Sequence, residues 1–102
     1  MLSAPAQDQP SASELAAGQQ DAVCDALRAA LADWAAGEEA LRASVSAYAH
    51  RARLEGLAAD RMIVRLYMWV REQTLRRVPA DTRVWLWEQV FTWAFAEYQR
   101  AD

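Results

Sequence analysis

Residues 27–56 read LRAALADWAAGEEALRASVSAYAHRARLEG, and the spacing of the large apolar side chains here decides the fold. Leu27, Leu31, Trp34, Leu41, Val45, Tyr48 and Ala52 fall on one side of a helix, the arrangement by which a helix offers a single seam to a partner. The phase carries unbroken across Gly37, and a reversing loop has no need to keep it. The spacing therefore predicts one long helix that kinks at Gly37, with a hairpin broken at that glycine as the rival. A helix of about 44 residues would run about 66 Å, longer than a domain of this size, so part of its seam would face a second chain. Glu38 and Glu55 lie on or beside the seam and count against an uninterrupted dry coiled coil.

Upstream, residues 1–10 (MLSAPAQDQP) combine two prolines with small and polar residues and are expected to form a loose arm. Ser11 and Glu14 then make a capping box at a helix start. Downstream, Glu55-Gly56-Leu57 is a firm stop, because glycine takes the left-handed conformation and the leucine folds back on the last turn. A helix from about Ala58 to Arg77 follows, with Met62, Ile63, Leu66, Tyr67 and Val70 as its main apolar face and Val64, Met68 and Leu75 as a second edge. Pro79 separates it from a last helix that reaches about Arg100, for which Asp81 is the expected N-cap. On that helix Val84, Trp87, Phe91, Ala94, Phe95 and Tyr98 make the strongest face, Leu86, Val90 and Trp93 make another, and Trp85 points a third way. The expected fold is an all-α bundle of three or four helices: a long or Gly37-kinked first helix, then a helical hairpin, in a dimer.

The sequence is 102 residues long, room for one core. All eleven basic residues are arginine, which together with abundant alanine reflects the compositional habit of a GC-rich genome. Residues 1–40 carry seven acids against Arg28 alone, whereas residues 41–102 carry ten arginines against seven acids, a polarity that suits antiparallel pairing between chains. Cys24 is the only cysteine, so no intrachain disulfide can form and a reducing cytoplasm is expected. No apolar run approaches the roughly 20 residues of a membrane span.

Chemistry is sparse. There is one histidine, His50, placed away from the seam among Ser46, Arg53 and Glu39 and read as a solvated surface residue. Its neighbourhood, Ala49-His50-Arg51-Ala52-Arg53-Leu54, lacks the lysine-glycine pair that follows the histidine of phosphotransfer bundles. No histidine or cysteine pair stands at ligand spacing, and the glycines Gly18, Gly37 and Gly56 form no phosphate loop, so neither a metal, a cofactor nor an enzyme is expected.

What the residues do support is association. A last helix apolar on several sides needs more than one neighbour, and the expected interface takes Leu31, Trp34, Leu41 and Tyr48 from the seam and Trp85, Leu86, Val90 and Trp93 from the aromatic helix. The expected function is a small helical protein–protein interaction module, an adaptor, accessory subunit or assembly factor, self-associating as a homo-oligomer or joining another subunit. The alternative is a small regulator whose Arg71, Arg76, Arg77 and Arg83, gathered about the Val78-Pro79 turn, contact nucleic-acid phosphates.

Overall fold

In the computed structural model of the chain, which describes residues 12–100, four helices follow one another: α1 (Ala12–Ala32), α2 (Trp34–Leu54), α3 (Ala59–Thr74) and α4 (Ala80–Arg100). Among the described residues there is no strand, and no helix is long and apolar enough to cross a membrane. The N-terminal arm and the Ser11 cap lie outside the described residues.

The long kinked helix does not form. The break falls at Asp33, ahead of Gly37, and the chain reverses through that one non-helical residue. Asp33 is extended (φ −154°, ψ 99°), and its carboxylate accepts the Ala36 N–H at 3.3 Å. Its own N–H donates to the Ala29 carbonyl at 3.1 Å, while its carbonyl accepts the Gly37 N–H at 2.9 Å. One residue thus completes the hydrogen bonding of α1 and caps the start of α2. The reversal is complete: Gln19 near the start of α1 shares a cleft with Ala52 and Glu55 at the end of α2.

Gly37 has a different task from the one its position suggested. It is buried, and a Cβ there would stand 2.6 Å from Ala30 Cα and 2.7 Å from Ala30 N, so α1 and α2 cross with their backbones in contact. The in-phase stripe survives the turn because Leu27 on α1 and Leu41 and Val45 on α2, each fully buried, converge on one core.

The two hairpins stack so that each helix meets one of the same direction. Arg28 of α1 donates to Gln73 Oε1 of α3 at 3.2 Å, and Arg53 of α2 donates to the Tyr98 carbonyl of α4 at 2.7 Å. Around the bundle the order is α1, α2, α4, α3, and among the described residues α1 makes no contact with α4. Between the hairpins Tyr48 meets Trp69 edge to face at 4.7 Å, inside a core that also holds Met62, Leu66, Leu86, Val90 and Ala94.

The stop after α2 is as expected. Gly56 takes a positive φ of 79°, its N–H donates to the Arg53 carbonyl, and the Leu57 N–H reaches the Ala52 carbonyl at 2.9 Å, the paired bonds of a Schellman turn. Tyr98 closes the link from outside by donating its hydroxyl to the Leu57 carbonyl at 2.8 Å. Two boundaries differ from expectation. α3 ends at Thr74, whose carbonyl accepts the N–H groups of both Arg77 and Val78 as the chain tightens ahead of Pro79. α4 opens at Ala80, with Arg83 N–H donating to the Pro79 carbonyl at 3.0 Å, so Asp81 sits inside the first turn, where its charge suits the helix dipole.

The crossing at Gly37 makes a direct prediction. Alanine ordinarily improves on glycine in a helix by up to about 1 kcal/mol, yet Gly37→Ala should lower stability by about 1–3 kcal/mol because the methyl meets backbone rather than a movable side chain. Gly18→Ala, which meets nothing within 4 Å, should stabilise instead. Urea titrations of the two variants check both signs.

Candidate functional site

α4 decides where a functional surface can lie, because its two apolar faces compete for the interior. The face made of Leu86, Val90 and Ala94 is buried, at 1%, 0% and 0% exposure, against α2 and α3. The bulkier face points mainly outward: Val84 is 60% exposed, Phe91 39% and Phe95 38%, while Trp87 and Tyr98 are partly buried against the core. Small and branched aliphatic side chains let α4 come close to α2 and α3, whereas a row of aromatic rings would hold the helices apart.

Much of the expected interface is therefore interior. Leu41, Tyr48, Leu86 and Val90 are 4% exposed or less and pack within the chain, out of reach of any partner. Leu31, Trp34 and Trp93 are partly buried against the same core. Trp34, first residue of α2, meets Trp85 edge to face at 4.8 Å and stacks near-parallel to Trp93 at 6.4 Å, so these rings fasten α2 to α4 beside the Asp33 turn. Of the eight, Trp85 is the most open, at 44% exposure.

The unpartnered surface is the outer face of the α3–α4 hairpin. Tyr67 stands edge to face on Trp87 at 5.3 Å, Trp87 on Phe91 at 6.0 Å, and Phe91 stacks on Phe95 at 5.6 Å, a continuous run of rings. Val64 and Met68 of α3 and Leu75 just past its end are exposed too, at 60%, 46% and 46%. Sequence reasoning named all of these side chains as apolar but assigned Trp85, Leu86, Val90 and Trp93, rather than this face, to the exposed patch. The signal that could have reversed the choice is side-chain size, since Leu86, Val90 and Ala94 repeat every four residues and pack more closely than three rings and a valine. Trp69 was missed as a core residue, although Met62, Leu66 and Trp69 stand at helical spacing, and so was Thr74, buried with its hydroxyl donating to the Val70 carbonyl at 2.8 Å.

The arginines divide. Arg71 and Arg83 line a cleft of about 290 Å³ between α3 and α4, walled by Tyr67, Val84 and Trp87. Arg83 Nε is buried there with no hydrogen-bond partner among the described residues. Arg76 and Arg77 lie exposed on the turn beyond α3 and do not enter the cleft.

The remaining reactive groups are unremarkable in placement. His50 is exposed, with Nδ1 3.9 Å from Glu97 Oε2. Burial pushes the Cys24 thiol above its usual range, with Arg28 opposing, which disfavours the thiolate. Burial likewise raises Tyr48, and Arg65 draws it partly back. Among the residues described, no three histidine, cysteine, aspartate or glutamate side chains are grouped as metal ligands.

One helix offers a clean test of which face is core. Val90→Ala should cost about 1.5–3 kcal/mol for the lost methyl groups and the void they leave. Val84→Ala, the same chemistry at an exposed site, should change stability by no more than about 0.5 kcal/mol. Thermal melts at a dilution where the mass no longer varies check the contrast.

Comparison with protein-family models, curated proteins and solved structures gives no match to the chain.

Proposed function

We propose that the chain is a small helical protein–protein interaction module that binds another polypeptide through the outer face of its α3–α4 hairpin. The carrying observation is the unbroken run of rings from Tyr67 through Trp87 and Phe91 to Phe95, left at the surface of a chain whose core is otherwise filled. A contiguous exposed aromatic patch is uncommon on a soluble monomer and is characteristic of binding surfaces, where tryptophan and tyrosine anchors dominate affinity. The stripe from Val84 to Phe95 is about 16 Å long at helical rise, and with α3 alongside it forms two parallel ridges, a shape that accepts another helix.

The surface lies on a rigid scaffold. Both helices are fixed from behind by buried residues, Met62, Leu66 and Val70 on α3 and Leu86, Val90 and Ala94 on α4, so binding asks for little reordering. The arginines give less support to a nucleic-acid role: Arg71 and Arg83 sit in an apolar cleft, and Glu72 and Asp81 share the exposed turn region with Arg76 and Arg77. Phosphate recognition would favour exposed cations with few acids among them.

The experiment is a single charged substitution on the face with a control off it. Phe91→Arg should abolish association, read as mass by light scattering for self-association and as affinity capture for a different chain, while leaving the helical circular dichroism intact. Ala96→Arg, exposed on α4 but about 140° round the helix from Phe91, should leave association unchanged. Association insensitive to Phe91→Arg would sink the reading.

A further inference from the structure

The exposed stripe of α3 has a symmetry of its own. Asp60, Val64, Tyr67 and Arg71 follow one another at steps of four, three and four residues, so they line one side of the helix, and all four are exposed. The order is acid, apolar, apolar, base. Turned end over end, the stripe meets its own complement: Asp60 falls opposite Arg71, and Val64 opposite Tyr67.

The stripe of α4 turns about nearly the same level. Val84, Trp87, Phe91 and Phe95 are centred close to residue 89, as the α3 stripe is centred between 65 and 66. Tyr67 touches Trp87 across the hairpin, which fixes the two antiparallel helices against each other. Counted from that contact, the two midpoints differ by less than one residue rise, about 1.5 Å. A single two-fold axis can therefore pass through both stripes, laying α3 on α3 and α4 on α4 of a second copy, antiparallel.

Among the described residues neither charge of the α3 stripe has an ion-pair partner, and Asp60 in the first turn and Arg71 in the last suit the helix dipole. Asp60 accepts the neighbouring Arg61 N–H at 2.9 Å. Resting on the interaction reading above, we infer that the occupant of this face is a second copy of the same chain, in an isologous dimer with Asp60 of each copy against Arg71 of the other. The rings supply the buried apolar area and the two symmetric ion pairs set the register, as polar pairs at helix interfaces do. An isologous contact uses one patch twice and closes, so the assembly stops at two.

Charge reversal tests the register. Asp60→Arg places like charges in both contacts, and so does Arg71→Asp; each variant alone should dimerise at least tenfold more weakly than wild type, with unchanged circular dichroism. Mixed at equal concentration, the two should form a one-to-one heterodimer, since every cross-contact is then complementary, and added salt should weaken it. Analytical ultracentrifugation with one variant carrying a dye reads the mixture directly. Wild type that stays monomeric at millimolar concentration would overturn the second copy as occupant, while capture of another chain that depends on Phe91 would leave the interaction reading standing. A wild-type dimer broken by Phe91→Arg but indifferent to both reversals would overturn the Asp60–Arg71 register and keep the face. A dimer indifferent to all three variants would overturn both.

Discussion

The backbone contact between Gly37 and Ala30 is the constraint from which the rest of this bundle follows. With only Asp33 between them, α1 and α2 have no slack and must separate at whatever angle their first turns allow. A side chain at residue 37 would force them apart at the point of closest approach. Because residue 37 is glycine, the hairpin closes tightly and brings Leu27, Leu41 and Val45 into one core. That closure also sets Trp34 at the edge of the bundle, where it can take Trp85 and Trp93 as neighbours and fix the height of α4. The second hairpin is positioned by the first.

From there the choice of faces on α4 is a matter of steric fit. α4 must lie close to α2, whose buried residues include Ala49 and Ala52, and close to α3, whose inner surface carries Met62, Leu66 and Val70. Leu86, Val90 and Ala94 fit that gap at core density, whereas a helix that turned Phe91 and Phe95 inward would bury more area and pack it worse. Hydrophobic burial alone would favour the aromatic face, at about 25 cal/mol for each Å² removed from water. Packing overrules it, and the larger apolar face is left outside. The surface proposed for binding is thus a consequence of how the core is filled.

Much of this was legible in the sequence: the all-helical class, the stop at Gly56, the break at Pro79 and the apolar stripe of α2 all have local causes that act within a few residues. The Asp33 turn was legible in principle, since aspartate ahead of Trp34 is a good N-cap, but Gly37 drew the expectation because glycine is the commoner helix breaker. Its real role depends on Ala30 lying against it, a tertiary fact with no local signature. Leu86 and Val90 were expected at the surface for a related reason. Periodicity identifies apolar faces but not which neighbour each one meets, so Leu86 and Val90 could not be told from Phe91 and Phe95 until α2 was in place. Size was the missing variable.

The charge polarity of the chain shows the same shift from between molecules to within one. The α1–α2 region, residues 12–55, carries seven acids against four arginines, and residues 58–100 carry five against seven, an imbalance that suggested pairing between chains. In the fold these halves are the two stacked hairpins, joined by Arg28 to Gln73, by Arg53 to the Tyr98 carbonyl, and by the approach of His50 to Glu97. Opposite net charge on two hairpins of one chain favours their docking modestly, and screening at physiological salt limits its reach to about 8 Å. Once that attraction is satisfied internally it cannot also order a partner. The recognition proposed for this chain would then fall to the outer face, where the charges are few, exposed and of both signs, and where their placement along α3 counts for more than their sum.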